Sequence, residues 1–393
     1  MIKSFKINNF KCFREQRFDF EPINLFIGPN GSGKSTILQA IGMLKGFLEP
    51  HIGKHIENQN WRYTELPNIR GKNNVIQWEV LFSLEADGET ELFKYYITLG
   101  RRRYLGIGKE YLEKIKGEET IKLIDRKGAE VRLYNELTGE NEQVKLINKS
   151  SSVMAGLETK AEMRKYPGIF KTKEWINGIN TYLLWYPEEL KKASRGLTRD
   201  LGPSGQYLAS VVGWLEKNQP EDFDNLKRKL KTFYPELRDI FTISTKFGWR
   251  YLYSKEGRER EFKFSSQQVS DGFLRILAIA TFLYLPNPPT LLALEEPENG
   301  VHPQLLREII SLIRSIAYRK KPYPTQVFLT THSPYVLDEF LDHLDEVYVL
   351  NRKGMDIKPQ KLSEIKKIDL AKEIFSNSLG ELWYQGVIGG SAK

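Results

Sequence analysis

The run Gly28-Pro29-Asn30-Gly31-Ser32-Gly33-Lys34-Ser35 constrains this chain more than any other feature. Its spacing is the full G-x-x-x-x-G-K-[ST] pattern of a phosphate-binding loop. The apolar run Ile23-Asn24-Leu25-Phe26-Ile27 leads into it and reads as a buried strand. Thr36-Ile37-Leu38-Gln39-Ala40-Ile41 leads out and reads as a helix. The chemistry needs that order. Glycines let the backbone curl until successive N–H groups face one anion, and a helix N-terminus adds a partial positive charge. Lys34 is expected to reach the outer phosphates and the Ser35 hydroxyl to ligate Mg²⁺. Asn30, Gly31, Ser32, Gly33 and Thr36 complete the expected cradle.

A chain of 393 residues holds either one elaborated domain or two to three smaller ones. Its 40% hydrophobic and 12% aromatic content indicates a globular protein. The longest apolar run, residues 276–285, stops at Pro286 and reads as a core helix, too short to span a membrane. The opening Met1-Ile2-Lys3-Ser4-Phe5-Lys6 lacks the apolar region of a signal peptide. The single Cys12 excludes an internal disulfide and a Cys₄ zinc site. A cytoplasmic protein without a membrane partner is expected. The net charge of +9 suits a polyanionic partner and equally suits a lysine-rich solvated surface.

Alternation predicts a hairpin over 2–10 and 16–20, a loop over 51–73, and a hairpin over 75–84 and 92–99 turning at Asp87 and Gly88. Further strands are expected at 121–124, 131–134 and 144–147. The period turns helical between about 151 and 235, and a hairpin (240–245 with 250–253) follows. From 272 on, helices (272–284, 304–318, 335–341) alternate with strands (290–294, 326–330, 346–350), the pattern of a parallel sheet. Repeats, low-complexity tracts and sustained heptads are absent.

Three later stretches bear on chemistry. The strand Thr290-Leu291-Leu292-Ala293-Leu294 ends in Glu295-Glu296-Pro297-Glu298, which puts paired carboxylates at the edge where a parallel sheet binds ligands. One acid suits a Mg²⁺ shell and the next suits orienting a water; alone, this is also an ordinary acidic junction. Val269-Ser270-Asp271-Gly272-Phe273-Leu274-Arg275 opens the apolar helix and also reads as an N-cap. Phe328-Leu329-Thr330-Thr331-His332-Ser333-Pro334 ends a strand in a histidine able to donate to a phosphate oxygen.

The order of these stretches resembles the ABC-type ATPase plan, and more narrowly its RecF, structural-maintenance-of-chromosomes (SMC) and OLD-like branch. Asn9-Phe10-Lys11-Cys12-Phe13 and Glu295-Glu296-Pro297-Glu298-Asn299-Gly300-Val301-His302-Pro303 match that branch. Residues 201–209 and the tail from Leu379 to Gly390 resemble a compact AAA15/AAA_21-type group. The resemblance implies an α/β fold: an ABC-type P-loop ATPase head of mixed and parallel sheet, with an antiparallel β lobe and a helical lobe inserted. Residues 1–50 and 262–393 would form the nucleotide-binding core, 51–150 the β lobe and 151–261 the mainly helical lobe.

The resemblance also implies roles. ATP and Mg²⁺ would be bound, with Glu295 in the acid position of the metal shell, Glu296 as general base and His332 as switch histidine. Ser270 and Gly272 would contact ATP held by a second copy, with Asn299 and Gly300 in the loop at the dimer seam. Lys11 would lie near the phosphates. The family's inter-lobe glutamine has no secure place; Gln77 is a candidate that reads as readily as a sheet residue. The implied protein is a homodimer with ATP at its interface, acting with DNA in repair or anti-phage defence. About sixty residues follow His332, too few for a fused nuclease domain, so any cutting would fall to a separate effector. Candidate basic surfaces are Arg101 to Arg103, Lys227 to Lys229 with Lys231, Arg258 with Arg260, and Arg319 to Lys321; each also reads as a solvated face. The competing reading is a nucleotide-dependent protein–protein interaction module. A transporter subunit fits the large inserted lobe poorly, and Asn148-Lys149-Ser150-Ser151 lacks the aspartate of a guanine-reading motif.

Overall fold

Strands β1 (Ile2–Phe10) and β2 (Phe13–Asp19) form an antiparallel hairpin that sets Phe5 opposite Phe18 and Phe10 opposite Phe13. All four rings are buried, as the alternation requires. The computed structural model describes every residue except 72, 87–88, 102–104, 147, 183–185, 321–322, 355, 366–377 and 390–393. The expected turn at Asp87 and Gly88 lies outside the described residues. The chain forms two compact units: residues 1–21, 28–179 and 348–360, and residues 22–27, 180–347 and 361–393.

The first unit carries an eight-stranded sheet in the order β2-β1-β4-β5-β6-β7-β8-β9. Its later strands are β4 (Ile76–Ala86), β5 (Glu89–Arg101), β6 (Leu105–Lys116), β7 (Glu119–Lys127), β8 (Glu130–Asn135) and β9 (Glu140–Lys145). β4 pairs with β1, so the meander over 76–145 continues the terminal hairpin's sheet. Gln77 is one of these paired residues, between Asn8 and Thr98.

β6 has no counterpart among the expected strands. Its inward positions include Glu110 and Lys114, which spoil the apolar alternation. Glu110 is fully buried against Arg126 (3.3 Å) and also accepts from the Tyr95 hydroxyl and the Val153 N–H; Lys114 meets Glu91 at 2.5 Å. Buried ion pairs stand where apolar residues would have announced the strand. Part of the expected 51–73 loop is helix α2 (Ile52–Asn58), whose two buried residues, Ile52 and Ile56, are too few to show a period. The unit also holds helices α1 (Lys34–Gly46), α3 (Lys160–Lys165) and α4 (Pro167–Asn177), and strands β17 (Val347–Lys353) and β18 (Asp356–Lys361) lie in it for most of their length. Trp175 of α4 stacks on Phe82 with centroids 4.2 Å apart.

In the second unit, β3 (Ile23–Ile27), β16 (Gln326–Thr330) and β15 (Leu291–Glu295) lie side by side and parallel, with β10 (Ile179–Tyr182) beyond β15. β3, β16 and all of β15 except Glu295 are buried, as unbroken apolar runs in a parallel sheet should be. A second, antiparallel sheet is formed by β11 (Ser194–Arg195), β12 (Leu237–Ser244), β13 (Trp249–Glu256) and β14 (Phe262–Ser265). The helices are α5 (Pro187–Leu190), α6 (Leu208–Asn218), α7 (Pro220–Phe233), α8 (Asp271–Tyr284), α9 (Leu306–Ala317) and α10 (Pro334–Asp338), followed by a short helix over Leu379–Tyr384. The expected alternation of helix and strand after residue 271 is present. Among the described residues no helix is long and apolar enough to cross a membrane.

Candidate nucleotide site

The glycine loop follows directly on β3 and ends in α1. Gly28, Gly31 and Gly33 adopt φ of 154°, 74° and 97°. A Cβ on Gly28 would lie 2.5 Å from the Leu350 carbonyl oxygen, and one on Gly33 would lie 3.0 Å from the Cys12 sulfur and from the Phe13 ring. The glycines therefore answer to sterics as well as to dihedral angle. No side chain caps the N-terminus of α1, and the Ser32 hydroxyl is buried without a hydrogen-bond partner. Lys34 is buried, and its ammonium donates to the Gly28 and Pro29 carbonyls at 2.8 and 3.1 Å, which folds it over the loop. Ser35 stands exposed on the first turn of α1, where Thr36 is half-buried. An uncapped helix start and an unpartnered buried hydroxyl are what an anion would complete.

Lys11 sits at φ 48°, in the left-handed region, after β1. Its ammonium donates to Gln39 of α1 at 2.7 Å and lies 3.9 Å over the Trp61 ring. Burial brings its pKa from 10.5 down to about 8. A lysine lowered in the folded state sheds its proton first there, so folding stability should rise with pH between about 8 and 10.5. If Lys11 serves phosphate as a cation, nucleotide affinity should fall as pH climbs through about 8. Titrating a fluorescent ATP analogue from neutral pH upward tests this: Lys11→Met should lose that pH dependence, and an unchanged profile would remove Lys11 from the site.

In the second unit, the register sets Glu295 beside Thr330, and Thr330 beside Phe26. The carboxyl ends of β15, β16 and β3 are thus level, and the glycine loop starts one residue beyond β3. Glu296 has φ 44°, costly for a residue with a Cβ. Its N–H donates to the Thr330 carbonyl (3.0 Å) and hydroxyl (3.3 Å), contacts that hold this conformation. The turn presents the carboxylate to two side chains: the Asn299 amide donates to Oε2 at 2.6 Å, and His332 Nε2 lies 3.3 Å from Oε1. Sequence order alone did not bring these three together. Glu298 was also missed as a site-shaping residue. It accepts from the Thr331 hydroxyl, and burial pushes its carboxyl above the ordinary range. No pattern in Glu-Pro-Glu marks which acid turns inward.

Ser270 caps α8, its hydroxyl accepting from the Phe273 N–H at 3.2 Å, so the capping reading holds. Asp271 pairs with Lys191 at 2.9 Å. A Cβ on Gly272 would lie 3.0 Å from the Gly300 carbonyl oxygen. The start of α8 and the Asn299-Gly300 loop therefore form one continuous surface. Among the described residues no cluster of three or more His, Cys, Asp or Glu could hold a metal alone. The Ser35 hydroxyl and the Glu295 carboxylate are each an oxygen donor of the kind Mg²⁺ takes beside waters and substrate phosphates.

The AAA_23 family model, described as an AAA domain, matches residues 4–246. The chain belongs to this family. A second model, AAA_21, whose description is an AAA domain with the words AbiEii toxin and type IV TA system, matches residues 166–338. The chain is 23% identical over 359 residues to an ATP/GTP phosphatase of Helicobacter pylori, covering 88% of each. It is 23% identical to the Septu protein PtuA of Bacillus mycoides over 96% of this chain and 45% of that protein, so it spans less than half the Septu protein's length. A 52-residue stretch, 13% of the chain, is 36% identical to 10% of an OLD nuclease of Thermus scotoductus. The Smc head domain of Pyrococcus furiosus, solved with an extended coiled coil and bound to the C-terminal domain of ScpA, aligns over 95% of this chain and 99% of that one with a TM-score of 0.53 at 13% identity. That likeness is one of fold. The AAA_23 chain is an ATPase with an ABC-type head.

The basic runs have separate fates. Arg319 donates to the Phe282 and Leu285 carbonyls at 2.7 and 3.3 Å, closing the C-terminal end of α8. Arg258 pairs with Glu236, and Lys227 with Asp224 and Asp239. Arg102, Arg103 and Lys321 lie outside the described residues.

Proposed function

We propose that this ATPase works as a dimeric switch, two copies closing head to tail around two ATP molecules, and that it acts with DNA in repair or anti-phage defence through a separate nuclease-like effector. The observation that carries the proposal is the Glu296 carboxylate, clamped between Asn299 and His332 at a strand's carboxyl edge. In this reading residues 1–50 and 262–393 handle nucleotide, 51–150 and 151–261 elaborate that core, and the protein works in the cytoplasm.

The loop's backbone N–H groups, Lys34 and the start of α1 meet the phosphate charge, with Lys11 in support. Ser35 and Glu295 would hold Mg²⁺, which supplies a Lewis acid at the phosphate oxygens. Glu296 takes the proton of the attacking water while Asn299 and His332 keep its oxygens aimed. Ser270 and Gly272 of the second copy close the pocket, so loss of the γ-phosphate removes the bridge and lets the pair open. The name of the Helicobacter pylori ATP/GTP phosphatase supports nucleotide hydrolysis, and that of the OLD nuclease supports a link to nucleic acid.

Adding DNA at low salt should raise ATP turnover severalfold, read as phosphate release. Hydrolysis indifferent to DNA, with a stoichiometric protein partner captured in its absence, would favour the interaction module instead.

A further inference from the structure

Strand β13 turns a row of rings to solvent. Trp249 and Tyr251 are 45% and 43% exposed, while the alternating Leu252 and Ser254 are buried. Arg250 lies against α6, where a Cβ on Gly213 would meet its side chain at 2.3 Å. The inward face of this sheet is therefore covered by α6, and the rings occupy the other face. Register extends that face: Ile243 sits opposite Tyr251, Phe241 opposite Tyr253, Arg195 opposite Trp249 and Lys263 opposite Lys255. Phe241 and Tyr253 stack with centroids 5.6 Å apart. The Lys263 ammonium lies 4.0 Å over Tyr253 and 5.4 Å over Phe241, and Lys255 lies 6.0 Å from Phe241.

A solvated antiparallel face is ordinarily polar, and a contiguous apolar one marks a partner. The charges decide which partner. Lysine is depleted from the centre of protein–protein interfaces, yet here lysines stand directly on the rings. Of the acids nearby, Asp239 is paired with Lys227 at 3.4 Å and Glu261 with Lys255 at 3.6 Å. At the Lys255 end the face borders a cleft of about 580 Å³ where five cations, Lys227, Arg228, Lys231, Arg238 and Lys255, outnumber three acids, Asp224, Asp239 and Glu261. Rings on alternate residues of one strand stand roughly 6.8 Å apart, a stride that seats one base per ring.

We propose that this face is a platform for single-stranded nucleic acid, with bases stacked on Trp249, Tyr251 and the Phe241–Tyr253 pair and phosphates held by Arg195, Lys255 and Lys263. The inference deepens the DNA-linked reading above by naming the form of the strand and the surface that takes it.

The test uses the full chain without ATP and a labelled oligothymidylate of about 12 nucleotides, followed by fluorescence anisotropy. The single strand should bind more tightly than a duplex of equal length. Trp249→Ala and Tyr251→Ala should each weaken it at least about fivefold, and Trp249→Phe should retain most of the affinity. Lys255→Gln with Lys263→Gln should flatten the slope of log affinity against log salt by about 0.7 per cation. ATP hydrolysis without nucleic acid should stay at the parent rate in these variants, so loss of the platform and loss of the ATPase are read separately. Ultraviolet crosslinking of a bromouracil oligonucleotide to the parent protein should label peptides holding residues 249–253, which needs no folded variant. Unchanged affinity after ring removal, crosslinks elsewhere, or ring removal that affects only self-association would overturn the platform.

Discussion

Glu296→Gln should slow ATP hydrolysis about a hundredfold or more while ATP and Mg²⁺ still bind. The reason lies in the clamp. Glutamine has the length of glutamate and keeps an oxygen for the Asn299 amide, which donates to Glu296 at 2.6 Å. What it lacks is the negative charge that takes a proton from water. The backbone contacts to Thr330 that hold φ at 44° do not involve the side chain, so the turn should persist. With the γ-phosphate uncleaved, the pair should stay closed, and sizing by light scattering should report a dimer only when ATP and Mg²⁺ are both present. Parent-like turnover by Glu296→Gln would take the base role from this residue. A monomer under every condition would end the switch reading even if turnover fell.

How much of this was legible in the sequence depends on how locally each feature is determined. The glycine loop was fully legible because Gly28, Gly31 and Gly33 are each required by a positive φ, and the first and last also by a neighbour too close for a methyl group. The paired acids were legible as a strand end, but the left-handed turn at Glu296 was not. That turn is enforced by Thr330, 34 residues away in the chain. The inward course of Glu298 depends on Thr331 in the same way. β6 was hidden because its buried face carries charges whose partners lie on other strands. The aromatic face of β13 looked like any alternating strand. Only the placement of α6 against Arg250 reveals which side was left in water. Arg319 read as part of a basic patch until its carbonyl partners at the end of α8 were known. Local backbone demands show in residue types, whereas long-range partners do not.

Mixing two dead chains should restore activity if each pocket draws on both copies. Lys34→Ala removes the ammonium that now covers the loop carbonyls and should lose nucleotide binding. Ser270→Arg removes the cap of α8, a loss of about 1 kcal/mol, and fills the helix start that would face the partner's phosphate. Each variant alone should be inactive. In a mixed pair, one pocket combines the intact Lys34 of one copy with the intact Ser270 of the other, and the second pocket holds both defects. With random pairing, half the dimers are mixed and each has one working pocket, so about a quarter of the parent activity should return. Differently tagged chains produced together and purified through both tags should reach about half, because every dimer is then mixed. A pocket completed within one chain gives the opposite result. Every site would still lack either Lys34 or Ser270, and mixing would recover nothing. Thermal melting of Ser270→Arg close to the parent value ensures that recovery, or its absence, reports on pairing and not on folding.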